Sequence, residues 1–177
     1  MAKHRLYLKF PTIVDKQNVI EYKNEFVFSN QEMAGVGGLD KFDNFEDWLN
    51  KIQRDTDIKT CDEGKVPATL YLVYRCEDNK LIGMLQIRHY LNEHLLQHGG
   101  HIGDSIRPSE QGNGYATEQI GLALEKCKEL GIARVLLTCN KQNIASAKTI
   151  IKNGGVLENE VIDNNEIIQR YWIIITN

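Results

Sequence analysis

The sequence predicts an α/β domain with a mixed central sheet and helices on both faces. Three observations point there. Strand-like runs and helix-period segments succeed one another along the chain. A run at 101–106, the clearest helical stripe at 116–130 and a run at 133–139 form a strand–helix–strand unit, which implies one parallel crossover. A length of 177 residues, 42% of them hydrophobic and 25% charged, suits one domain over 1–177 with a real core.

The elements follow in order. Residues 6–10 form a short first strand. From Asp15 a helix carries Val19, Tyr22, Phe26 and Val27 on one side, and the glycines from Gly35 to Gly38 break the chain. A second helix starts near Asp43, which can cap it, with Glu46 three residues on and a stripe of Phe45, Trp48, Leu49 and Ile52. Runs at 68–76 and 81–89 make a hairpin across a polar turn at 77–80. A short helix is expected over 91–98, then a strand at 101–106 ended by Arg107-Pro108. Ala116, Ile120, Ala123, Leu124, Cys127 and Leu130 repeat on one helix face, which Gly131 can stop. After the strand at 133–139, Asn143 caps a helix that ends at Gly154-Gly155. Strands at 156–162 and 170–175 pair antiparallel across a turn at Asp163-Asn164-Asn165. The aromatic residues Trp48, Trp172, Tyr71, Tyr74 and Tyr171 sit at core spacings.

Net charge of −3 and a pI near 6.0 provide no basic face, so no nucleic-acid partner is expected. Weak acidity leans slightly towards an amine-bearing partner. No apolar run is long enough to span a membrane, and the start of the chain, 1–5, leads into only a short apolar run, so neither an anchor nor a signal peptide is expected. Cys61, Cys76, Cys127 and Cys139 form no Cys-x-x-Cys pair and are expected as reduced thiols in a cytoplasmic protein.

The most informative stretch joins the strand at 101–106 to the best helix. It reads Arg107-Pro108-Ser109-Glu110-Gln111-Gly112-Asn113-Gly114-Tyr115-Ala116-Thr117. Free N–H groups at a helix N-terminus favour an anion, and two glycines let the backbone curl so that successive N–H groups converge as a nest. A Walker A loop needs Lys-Ser/Thr after its last glycine, where Tyr115-Ala116 stand; a Gly-x-Gly-x-x-Gly fingerprint needs glycine at Thr117. The pattern Arg/Gln-x-x-Gly-x-Gly/Ala fits from Gln111 to Ala116.

On these residues the chain resembles the GNAT N-acetyltransferases. The resemblance covers the whole order of elements and is strongest over 99–155, where Asn143, Ser146, Lys148 and Gly154-Gly155 match the family's helix beside the pantetheine arm. It implies the GNAT acyl-CoA N-acyltransferase fold and acetyl transfer from acetyl-CoA to a small-molecule or peptide amine by direct attack in a ternary complex. It also implies that Gln111, Gly112, Asn113, Gly114, Tyr115, Ala116 and Thr117 hold the pyrophosphate. Ser105, Ile106 and Asn143 would then line the arm, with the Ile106 N–H facing the thioester oxygen.

The acid and the base stay open. Many members place a tyrosine seven residues after the Asn143 position, where this chain has Ile150. Ser146 can donate instead, or merely support the helix start. The glutamate that some members carry is replaced by Gly100, which leaves His101 and Asp104 as candidate bases on opposite sides of a strand. A non-enzymatic CoA-binding sensor or interaction module is the alternative that Ile150 keeps alive. His89, His94, His98 and His101 cluster, but no third ligand has a fitting spacing, so no metal is expected; they read as acceptor-pocket lining or as solvated or capping residues. Arg88 can grip a carboxylate on the acceptor.

Overall fold

The computed structural model describes residues 4–176; the first three residues, on which the leader reading partly rests, lie outside them. Four antiparallel strands pair in chain order: β1 (Leu6–Lys9), β2 (Ala68–Arg75), β3 (Leu81–Arg88) and β4 (Ile102–Ile106). A second antiparallel sheet is ordered β5 (Arg134–Asn140), β7 (Glu166–Ile174), β6 (Val156–Asp163). The helices are α1 (Lys16–Ser29), α2 (Phe45–Arg54), α3 (Tyr115–Glu129) and α4 (Ile144–Lys152), with a π-helical turn at Leu95–Gly99.

The continuous apolar run of β2 is buried on both faces, and its alternation divides the core. Leu70, Leu72 and Tyr74 pack with Val19, Tyr22 and Phe26 of α1 and with Trp48 of α2. Tyr71 and Val73 face the opposite way, towards Ile120, Ala123 and Cys127 of α3 and Ile150 of α4. Helices therefore cover both faces of the first sheet, as expected.

Several local expectations are corrected. Val27 is 66% exposed, because the helical step from Phe26 turns it away from the buried stripe. The cap of α2 is Asn44, whose Oδ1 accepts from the N–H of Glu46 at 2.7 Å and of Asp47 at 3.2 Å; Asp43 stands one residue too early. Leu130 lies just past the end of α3 and is 42% exposed. Strand β7 begins at Glu166, not at residue 170, because Asn164 and Asn165 both adopt left-handed φ (47° and 66°) and close a two-residue hairpin.

The crossover through α3 brings β5 beside β4, but no ladder forms between them, so the central sheet is split in two. His101 makes the link: its N–H donates to Leu136 O at 2.8 Å, and its Nδ1 accepts from the Leu136 N–H at 2.9 Å. Beyond this point the two strands enclose a cleft. Among the described residues no helix is long and apolar enough to cross a membrane.

Candidate active site

The chain leaves β4 through Arg107-Pro108 and a single 3-10 turn, then enters α3 through Gly112 and Gly114. Both glycines are left-handed (φ 81° and 78°), a conformation in which a Cβ would be strained. This curl leaves the main-chain N–H groups of residues 112–117 without an acceptor among the described residues. Gly112 and Gly114 to Thr117 line the cleft with these unpaired donors at the positive end of the α3 dipole, which suits an anion. The nearby carboxylates are already neutralised. Glu110 accepts from Arg75 Nη1 at 2.8 Å and Lys80 Nζ at 2.6 Å, and Glu118 accepts from Arg5 Nε at 2.9 Å.

From this loop a cleft of about 680 Å³ runs between β4 and β5 to the start of α4. The ladder bonds fix which way β4 presents its backbone. Arg88 N donates to His101 O and Arg107 N to Ile82 O, so the odd-numbered residues of this stretch pair with β3. The N–H groups of Asp104 and Ile106 consequently face the opposite edge, into the split. Leu137 and Thr138 of β5 form the other wall, and Ala34 and Met33 border the cleft from the loop after α1. Gln111 ties that loop to the phosphate-type turn, its Nε2 donating to Gln31 Oε1 at 2.9 Å and to Ile106 O at 3.1 Å.

The structure gathers most of the predicted residues around this cleft. Ser105, Ile106, Gln111, Gly112, Gly114, Tyr115, Ala116, Thr117, Asn143, Ser146 and Asp104 all line it. Asn113 sits in the turn, with its carbonyl accepting from Arg5 at 3.2 Å and its amide donating to Glu110 O at 3.1 Å. Asn143 caps α4 by accepting from the Ser146 N–H at 3.0 Å. The Ser105 side chain points to the other face, where its Oγ donates to Ala34 O at 2.6 Å and meets Tyr22 Oη at 2.9 Å; its contribution to the cleft is its backbone.

Asp104 and His101 part company, as strand alternation requires. Asp104 faces α3, where Gln119 Nε2 donates to its Oδ2 at 3.0 Å. Burial pushes its carboxyl up to about 6, against the opposing effect of the Gln119 bond. His101 is outside the cleft lining; its ring accepts from Leu136 and packs edge-on to Trp172 at 6.4 Å. Burial, and then the charge of Arg88, depress its pKa to about 4. The imidazole is thus neutral at physiological pH and its Nδ1 lone pair is engaged. Ser146 stands at the cleft near Cys139; burial pushes that thiol up, and the serine pulls it back. Ile150, at the position of the missing tyrosine, is a core residue, 2% exposed.

Gln119 is the principal residue that sequence reasoning missed. It is fully buried, although polar, and Gly83 makes room for it: a Cβ there would stand 2.2 Å from Gln119 Oε1. The signal was present, since Gln119 falls on the buried stripe of α3 three residues after Ala116. Lys152 on α4 also lines the cleft. The histidines do not assemble. The His94 and His98 rings sit tilted, with centroids 5.6 Å apart, and His89 Nε2 lies 2.8 Å from Thr69 Oγ1. Among the described residues no three metal-binding side chains are grouped.

A family model described as an acetyltransferase (GNAT) domain matches residues 5–156. The uncharacterized N-acetyltransferase YnaD of Bacillus subtilis (strain 168) is 27% identical over 163 residues, 89% of this chain and 80% of that protein. Among solved structures, RimL, a ribosomal L7/L12 alpha-N-protein acetyltransferase in complex with coenzyme A, superposes with a TM-score of 0.69 at 18% identity, over 99% of this chain and 97% of its own. The spermidine/spermine N-acetyltransferase SpeG from Vibrio cholerae gives a TM-score of 0.64 at 17% identity, over 97% and 95%. At such identities the two structures agree with this chain in fold.

Proposed function

The chain belongs to the GNAT acetyltransferase domain family, and from that premise we propose that it moves an acetyl group from acetyl-CoA to an amine by direct attack with both substrates bound. The observation that carries this reading is the row of unengaged N–H donors at 112–117 opening onto the split between β4 and β5. Acetyl-CoA supplies the activated acyl group. The loop donors hold its pyrophosphate, and Lys148 and Lys152 along the same cleft add positive charge. The backbone of β4 from Asp104 to Ile106 orients the pantetheine arm as an added strand would, and the Ile106 N–H donates to the acyl oxygen. Asp104 takes a proton from the incoming amine, since a carboxyl that titrates near 6 is ionised at neutral pH yet basic enough to accept. Ser146 relays a proton from a solvent water to the departing sulfur, and so keeps its own hydroxyl.

RimL and SpeG are named for a protein amine and for polyamines, so an amine is the acceptor chemistry their names share. A reducing, cytoplasmic setting fits the free thiols of Cys61, Cys76, Cys127 and Cys139. One observation favours the second reading, a CoA-binding module without turnover: Ile150, locked in the core, offers no proton. Calorimetry with acetyl-CoA, ATP and NAD, followed by thiol release over a panel of amines, tests both. ATP or NAD binding without CoA binding overturns the assignment; CoA binding without thiol release selects the module.

A further inference from the structure

A guanidinium partly withdrawn from water is best balanced by an anion, because burial raises the cost of an uncompensated charge. The sheltered arginines of this chain follow that rule. Arg75 bonds Glu110 and Asp78, and Arg170 bonds Glu158 at 2.7 Å. Arg107 stands 3.0 Å from Glu25, as an ion pair without a directed hydrogen bond at Nε. Arg88 departs from the pattern. It is half-buried at the end of β3, and burial alone lowers its pKa. Its Nη1 donates to two main-chain carbonyls, Gly99 O at 2.9 Å and Gly100 O at 3.0 Å. No carboxylate among the described residues reaches it, and its Nη2 and Nε, which stay open to solvent, have no acceptor among them.

The surroundings hold this free side of the fork against β4. Arg88 and Gln86 lie on the face of β3 that Gly103 shares on β4. A Cβ on Gly103 would stand 3.5 Å from Arg88 Nη2 and 3.3 Å from the backbone of Gly35. Gly35 in turn approaches so closely that its own Cβ would fall 2.0 Å from Gly103 O. Two glycines thus bring the guanidinium and the loop after α1 up to the strand that carries Ile106. His101, one strand over, feels this charge: burial first, and then the Arg88 guanidinium, hold its ring neutral. Gly103 precedes Ile106 by three residues of strand, a separation of about 10 Å.

The geometry points to Arg88 as the anchor for an anionic group on the acceptor, a carboxylate or phosphate held about 10 Å from the amine that is acylated. This rests on the acetyltransferase reading and narrows its substrate class: a short peptide with a free carboxylate, or an acceptor with a phosphate at similar distance, fits, and a polyamine does not. An extended tripeptide spans about 10 Å between its ends.

The test uses three peptides: tri-alanine, tri-alanine amide, and an alanyl-alanyl-phosphoserine amide. Each is titrated into the protein while the Arg88 Nε–Hε resonance is followed by NMR, with and without CoA; CoA binding is measured separately by calorimetry. Failure of the cofactor reading then appears in the calorimetry, and failure of the anchor in the Arg88 resonance. We expect a saturable shift with tri-alanine or the phosphopeptide, which tells carboxylate from phosphate, and none with the amide. Arg88→Gln, which can still donate to a Gly99 or Gly100 carbonyl, should weaken that binding roughly thirtyfold or more with CoA affinity unchanged. If Arg88→Gln proves unfolded by circular dichroism, Arg88→Lys keeps the charge but lacks the fork and should still weaken binding. Equal binding of all three peptides, no binding of either anionic peptide, or parent-like affinity in the folded variant overturns the proposal.

Discussion

Asp104 and His101 lie three residues apart, and burial shifts their pKa values in opposite directions. A free carboxyl titrates near 3.9 and a free imidazole near 6.5. The folded chain holds the Asp104 proton up to about pH 6, so the stability that group contributes is full below about pH 4 and is lost as pH rises through 6. His101 has the reverse sign: its contribution is full above about 6.5 and is lost as pH falls towards 4. The two slopes oppose each other over the same window in the parent. Asp104→Asn, which can still accept from Gln119, should remove one slope and gain roughly 2 kcal/mol relative to the parent between pH 4.5 and 7.5, read by urea unfolding at several pH values. His101→Ala should cost roughly 2–4 kcal/mol, because it opens a cavity and leaves the buried Leu136 N–H unpaired. Turnover separates the roles further. Loss of the limb near pH 6 in Asp104→Asn supports Asp104 as the base, and the same loss in His101→Asn with Asp104 intact would transfer that role to the histidine.

The turn before α3 and the first turn of α4 are where element-scale changes show. Gly114 has open space at its Cβ, with Arg5 Nη2 the nearest atom at 3.8 Å, so Gly114→Val meets no steric wall. Its cost to the fold is the left-handed φ alone, about 1–2 kcal/mol. Its cost to binding is larger, since the curl that aims the donors is lost; two or three charge-assisted bonds at ~1.5–3 kcal/mol each amount to more than about a hundredfold in CoA affinity. Thermal unfolding and calorimetry on the same variant check both parts, and unchanged affinity removes the loop from the site. Ser146→Ala should lower turnover more than CoA affinity, because the Asn143 cap bonds the Ser146 N–H and survives the change. Equal turnover would leave the sulfur to depart unaided. At this scale the turn and the Asn143 cap were legible, because glycine and asparagine at helix starts carry local backbone meaning. Asp43 misled for the same reason: Asn44 beside it is an equally good cap, and only the hydrogen bonds to Glu46 and Asp47 decide.

At the scale of the molecule, two antiparallel sheets meet at His101 and Leu136 and enclose a cleft of about 680 Å³. A ligand that pairs with β4 and touches α3 and α4 bridges the halves and binds only the folded chain. Acetyl-CoA at a hundred times its Kd should therefore add about 2.7 kcal/mol and raise Tm by roughly 5–10 °C, measurable by scanning calorimetry. No shift at saturation would mean that the cleft is not the binding site. The sequence alone determined the element order, the two-sided core and the glycine turn, because periodicity and backbone-specific residues act within a few positions of themselves. The resemblance implied the split between β4 and β5; tertiary structure alone decided the partnership of Gln119 with Asp104 and the isolation of Arg88 from every described carboxylate. Each depends on residues far apart in the chain. Burial and the presence or absence of a partner across such distances exist only once the chain is folded, and they set a carboxyl's proton affinity and leave an arginine without a carboxylate partner.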